Sequence, residues 1–114
     1  MASPQEVRMI VQDIKKRRNA WRISKRAKNT ELVSKLGLPQ SEILKIVFDK
    51  LSWQDYSSGP EIDDHRPPRP GSIWKFGLII GPYNCYLKFQ DKPSGTVLWI
   101  SIHPAERPMN LPYR

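Results

Sequence analysis

Only one cysteine is present, Cys85, and it stands inside an apolar stretch. An intrachain disulfide and a cysteine-based zinc site are therefore excluded, and the thiol reads as a small buried core residue. No run is long or apolar enough to cross a membrane, so a membrane is not an expected partner. The start, Met1-Ala2-Ser3-Pro4, lacks an apolar signal region, which makes a cytoplasmic protein the expectation. A Gly-rich phosphate loop, a Gly-x-Ser-x-Gly elbow and internal repeats are all missing. Acidic side chains are the scarcer charge, 11 against 19 Lys and Arg, leaving a net charge of +8. That balance favours an acidic partner such as nucleic acid, an anionic surface or an acidic protein.

What is there suffices for one domain over residues 1–114, with one core. Ser3-Pro4-Gln5-Glu6 has the form of a helix start, with a capping serine, proline in the first turn and a carboxylate three residues on. Val7, Ile10, Val11 and Ile14 follow as one helical stripe that fades near Lys15-Lys16-Arg17-Arg18-Asn19. Trp21 and Ile23 alternate against Arg22 and Ser24, which predicts a short edge strand. Asn29 or Thr30 caps a second helix carrying Leu32, Val33 and Leu36, and Gly37 ends it. A third helix opens at Pro39-Gln40-Ser41-Glu42 and carries Ile43, Leu44, Val47, Phe48 and Leu51. Residues 52–72 are rich in Pro, Gly, Ser and Asp and are expected to form one long loop.

Three alternating runs come next, at 73–80, 85–90 and 96–103. Short turns join them, so neighbours pair antiparallel. The tail, 104–114, holds three prolines and is expected to lie extended on the surface. The order of elements predicts an α+β fold, with N-terminal helices packed on one face of a small antiparallel sheet.

Alternation assigns Trp74, Phe76, Leu78, Ile80, Cys85, Leu87, Phe89, Leu98, Ile100 and Ile102 to the buried face. The opposite face receives Lys75, Tyr86, Lys88, Ser101 and His103, with Trp99 beside them and no carboxylate in any of the three runs. Such a set suits a phosphodiester. Cutting RNA without a metal needs a base for the 2′-hydroxyl, an acid for the 5′-oxygen and cations at the phosphoryl group. His103 can move a proton near neutrality. Lys75 and Lys88 can hold the phosphate, Ser101 can donate a hydrogen bond, and Tyr86 can position the phosphate, stack a base or, with a lowered pKa, transfer a proton. The bland alternative for each is a soluble strand surface.

The tract Lys15-Lys16-Arg17-Arg18, Arg22, Lys25, Arg26 and Lys28 surrounds Trp21 and could track a nucleic-acid backbone. It could equally be a solvated helix end, or dock an acidic protein. Glu61, Asp63, Asp64 and His65 show no metal-ligand spacing, and neither a metal nor another cofactor is expected.

Several motifs occur in one ordered series: Arg26-Ala27-Lys28-Asn29, Leu36-Gly37-Leu38, Asp55-Tyr56-Ser57-Ser58-Gly59-Pro60, Ile73-Trp74-Lys75-Phe76-Gly77, Cys85-Tyr86-Leu87-Lys88-Phe89 and Ile100-Ser101-Ile102-His103-Pro104-Ala105-Glu106. The series resembles the MqsR-like toxins of type II toxin–antitoxin systems, within the RelE-like ribonucleases, over roughly residues 20–112. The resemblance implies a RelE-like fold, a metal-independent mRNA endonuclease that blocks translation, and a cognate antitoxin that is normally a DNA-binding protein. It matches the family's site to Lys75, Tyr86, Lys88 and His103. Three positions depart from it. Ser58 stands where better-known members carry a loop lysine, Lys75 where they have glutamine, and His103 where they have lysine.

The expected activity is therefore an mRNA interferase with His103, Tyr86, Lys75 and Lys88 as catalytic residues. RNA would also meet Ser101, Trp99, Ser58, Arg22, Lys25, Arg26 and Lys28. The alternative is a non-catalytic RNA-binding module on the same sheet face, stacking bases on Tyr86 and Trp99. A protein-binding module comes third.

Overall fold

The structure, a computed structural model, describes residues 1–114. It is an α+β fold of three α-helices and one five-stranded sheet. The helices are α1 (Pro4–Lys16), α2 (Glu31–Leu36) and α3 (Gln40–Lys50). The strands are β1 (Trp21–Ile23), β2 (Tyr56–Glu61), β3 (Ser72–Ile80), β4 (Tyr83–Asp91) and β5 (Val97–Pro104), in spatial order β1-β5-β4-β3-β2. No helix is long and apolar enough to cross a membrane.

The start of α1 forms as its residues dictate. Ser3 Oγ accepts from the Glu6 amide at 3.2 Å, and the Glu6 carboxylate accepts from the Ser3 amide at 3.1 Å. These bonds to the charged form hold the Glu6 carboxyl below its usual range. At the other end of the helical region Gly37 adopts φ 64°, the left-handed turn that ends α2 without a Cβ penalty. The expected side-chain cap of α2 is not formed: Thr30 takes the N-cap position but donates its hydroxyl to the Ala27 carbonyl, and Asn29 serves elsewhere. It is buried, and its side chain donates to the Ser24 and Ile100 carbonyls and accepts from the Ile102 amide.

The helices supply Val7, Val11, Ile14, Leu32, Ile43, Val47 and Leu51 to one hydrophobic cluster with the inner face of the sheet. Trp74, Phe76, Leu78, Ile80, Cys85, Leu87, Phe89 and Ile102 meet them there, as alternation predicts. Cys85 is buried, which pushes its thiol up to about 11 and leaves it an unreactive core group.

Three expectations are corrected. The sheet is mixed, because β1 pairs parallel with β5; most of the chain lies between them, ample for a crossover. Residues 52–72 are not all loop. Trp53–Asp55 form a 3-10 turn and Tyr56–Glu61 form the edge strand β2, so the loop shrinks to 62–71. Tyr56 anchors that strand in the core and donates its hydroxyl to the Gly59 carbonyl at 2.5 Å.

The third correction concerns β5. Its register with β4 shifts, Lys88 facing Ser101 but Phe89 facing Trp99, so Ile100 is an extra residue in a bulge. Parity reverses across it. Trp99 points into the core at 0% exposure, packed on Trp21 and Phe89 with ring centroids 5.1 Å away in each case. Leu98 and Ile100, expected inside, lie half-buried on the other face. Ser101 and His103 stay on the outer face because they follow the bulge.

The outer face is not bare. At one end the loop 62–71 folds over it: Ile73 is buried there, and Gln90 donates to the Arg69 and Gly71 carbonyls. At the other end the tail crosses it. Met109 Sδ and a Leu111 methyl lie 3.2 and 3.1 Å from where a Gly77 Cβ would sit, so glycine is what lets the tail approach. Tyr113 stacks on Tyr56 and donates to the Ala2 carbonyl, and Arg114 pairs with Asp55 at 2.8 Å. The expected extended tail is thus a docked strap.

Candidate functional site

Between loop and strap the middle of the outer face remains as a cleft. Arg26, Lys28, Ser57, Tyr86, Lys88, Ser101 and His103 line about 470 Å³ of it, with Ala105 to Met109 of the strap as one wall. A second hollow of about 430 Å³ continues it towards the loop, past Ser24, Asp63, His65, Arg69 and Gln90. Arg26 and Lys88 border both hollows.

Strand register places the groups in rungs. Tyr86 faces His103 across β4–β5. One alternate position along, Lys88 lies between Ser101 of β5 and Lys75 of β3. Ser101 is buried at the floor, and Arg26 Nη1 donates to its Oγ at 2.9 Å, which pins the guanidinium over this rung.

His103 is held firmly. It is 6% exposed, and its Nδ1 donates to the Pro104 carbonyl at 2.9 Å. A carbonyl only accepts, so Nδ1 carries the hydrogen and the neutral ring keeps its lone pair on Nε2. The Tyr86 ring packs against it, centroids 5.5 Å apart. Burial pushes the Tyr86 phenol above its ordinary value, against the lowering influence of nearby Lys75. Tyr86 therefore stays protonated at neutral pH, a hydrogen-bond donor rather than a ready base, contrary to the idea of a lowered pKa.

The cations differ in freedom. Lys75 stands 3.5 Å from Glu61 at the β2 edge, and Lys28 is paired with Glu106 of the strap. That pairing lowers the Glu106 carboxyl. Lys88, Arg26 and Arg107 of the cleft lining enter no ion pair, and Lys88 and Arg26, which border both hollows, are best placed to meet an anion. Ser57, Glu106 and Arg107 line the cleft without having been expected as site residues. They lie in the edge strand and the tail, and no periodicity points from there to the cleft.

Other expected residues sit elsewhere. Ser58 donates to Glu61 at 2.7 Å opposite Lys75 at the β2 edge and does not line the cleft, which receives Ser57 instead. Arg22 folds back on the Asn19 and Trp21 carbonyls, and Lys25 is exposed outside the cleft lining. Trp99 is core. The N-terminal half of the basic tract serves the scaffold. Arg17 bridges Asp13 and Asp91, Arg18 lies 5.0 Å over Trp21, and the buried Trp21 donates to the Ile14 carbonyl.

Asp63, Asp64 and His65 bring ligand atoms within 4.8 Å of one another, although their sequence spacing suggested no metal site. The Asp63 oxygens are already engaged by His65 Nδ1 at 2.9 Å and the Arg69 amide at 2.8 Å. These bonds hold the Asp63 carboxyl down at about 2.

No family model, curated protein or solved structure matches this chain significantly.

Proposed function

We propose that the protein is a metal-independent endoribonuclease that cuts single-stranded mRNA, acting as the cytoplasmic toxin of a type II toxin–antitoxin pair with a RelE-like, MqsR-like fold. One observation carries this reading: an imidazole with a free Nε2 stands one rung from two unpaired cations, on the floor of a cleft open to a polymer.

The chemistry follows from the placement. A phosphodiester settles on Lys88, Arg26 and Ser101, with Lys75 adding charge from β3. His103 Nε2 takes the 2′-hydroxyl proton, and the 2′-oxygen attacks phosphorus. Negative charge on the non-bridging oxygens is met by Lys88, Arg26 and the Tyr86 hydroxyl. The bond to the 5′-oxygen breaks, leaving a 2′,3′-cyclic phosphate and a 5′-hydroxyl. Toxicity calls for a neutralising antitoxin, a DNA-binding protein in the type II arrangement. The RNA-binding alternative loses ground with Trp99 in the core, because one half-buried tyrosine is a poor stacking platform.

The test uses a defined single-stranded mRNA, free and on ribosomes, with excess EDTA. Wild type should cut and leave a cyclic phosphate, and His103→Ala should be slower by on the order of a hundredfold or more. Salt-sensitive binding without cutting in either setting would replace this reading with the binding module.

A further inference from the structure

The proposed reaction needs an acid as well as a base. Attacking and leaving oxygens lie roughly in line through phosphorus, so the two proton-transfer groups belong on opposite sides of the phosphate. Tyr86 sits on the same rung as His103, hence on the same side of Lys88. On the other side, one alternate position or about 7 Å further along β4, is Gln90, where the loop 62–71 docks.

That loop carries the second of the chain's two histidines. His65 lines the same hollow as Lys88 and Arg26 and is half exposed. Its Nδ1 donates to Asp63, whose side chain is only 3% exposed and is fixed by the Arg69 amide. With Nδ1 committed, Nε2 is the nitrogen left for a ligand. The charged groups that line the hollow with the ring are Asp63, Asp64 (Oδ1 3.7 Å from Nδ1) and Arg69 from the loop, and Arg26 and Lys88 from the sheet side. The two imidazoles thus differ in anchor. His103 is held by a neutral carbonyl and His65 by a buried carboxylate. A carboxylate suits a ring that gives one N–H to its anchor and keeps another to donate.

We infer that His65 is the general acid of this cleft, and that Asp63 is its positioning residue. The inference rests on the ribonuclease reading above. As the bond to the 5′-oxygen breaks, the proton on His65 Nε2 passes to that oxygen, while His103 Nε2 holds the proton taken from the 2′-hydroxyl. One proton is gained and one is given, and exchange with water resets both rings. Tyr86 is then a donor to a non-bridging oxygen.

The test compares two oligonucleotides at the bond that wild type cuts, one natural and one with sulfur in place of the bridging 5′-oxygen. A thiolate leaves without being protonated. His65→Gln alters a half-exposed loop position and leaves the core intact. It should slow the natural substrate by on the order of a hundredfold, and the penalty should shrink to a few-fold on the sulfur substrate. Asp63→Asn should show the same selectivity to a smaller degree. His103→Ala should be slow on both. Equal slowing of both substrates by His65→Gln, or none, would overturn the assignment while leaving the ribonuclease standing. A wild type that cuts neither would remove the ribonuclease reading and this one with it.

Discussion

With Trp99 in the core, its substitution separates packing from binding. The ring is fully buried against Trp21 and Phe89, and its indole N–H has no acceptor. Trp99→Ala should therefore lower stability by roughly 3–5 kcal/mol in denaturant unfolding, as large aromatic truncations do. Trp99→Phe should lose much less, since it refills most of the space and removes the unsatisfied N–H. RNA affinity of the folded fraction should not change in either variant. A selective loss of RNA binding with normal stability would return Trp99 to the surface. His103 has the opposite profile. Its neighbours fix a tautomer rather than fill a void, so its replacement should be read in rate.

Among the elements, the loop 62–71 is the one with a defined pH response. Asp63 pins it through His65 and the Arg69 amide, and its carboxyl is held at about 2 against an ordinary 3.8. The folded-state value is depressed, so this stabilisation is fully present above the ordinary value and is lost as pH falls through about 2. An acid titration followed by NMR should show the loop amides moving between about pH 4 and 2, with the central strands moving separately. Asp63→Asn should abolish that early step. If the loop and the sheet titrate together in both proteins, the loop is not pinned in this way. The strap at the other end depends on shape instead: Gly77 lets Met109 and Leu111 close on β3, and Arg114 and Tyr113 fasten the end.

For the molecule as a whole, the charge of +8 does not translate into a uniform basic face. Arg17, Lys28, Lys75 and Arg114 are drawn into ion pairs, and Arg18 covers Trp21. Within the cleft, Lys88 and Arg26 keep their charges out of ion pairs, and they border both of its hollows. RNA affinity should fall steeply with salt, and Lys88→Ala should flatten the log–log slope by about 0.7, the share of one phosphate contact on a single strand. Lys25→Ala should leave the slope close to that of wild type. Equal effects of the two would mean that the whole basic surface, not the cleft, meets the polymer.

The helices, the Ser3–Glu6 cap of α1, the glycine stop of α2 and most of the buried face were legible in the sequence, because each depends on residues within a few positions of one another. Ser3 and Glu6, the stripe Val7-Val11-Ile14 and the alternation from Trp74 to Phe89 all express local backbone periodicity. Lys75, Tyr86, Lys88, Ser101 and His103 were placed on one face by the same rule. Tertiary structure alone decided the rest. The bulge at Ile100 reverses parity, and its register is set by pairing with β4 and by the buried Asn29 amide, 71 residues away. The strand at 56–61 exists because β3 offers it an edge and Tyr56 a place in the core. The walls of the cleft come from a loop and a tail with no periodicity, docked by Gln90 and Gly77. Long-range pairing and packing chose those partners, and a single chain's local pattern carries no record of them.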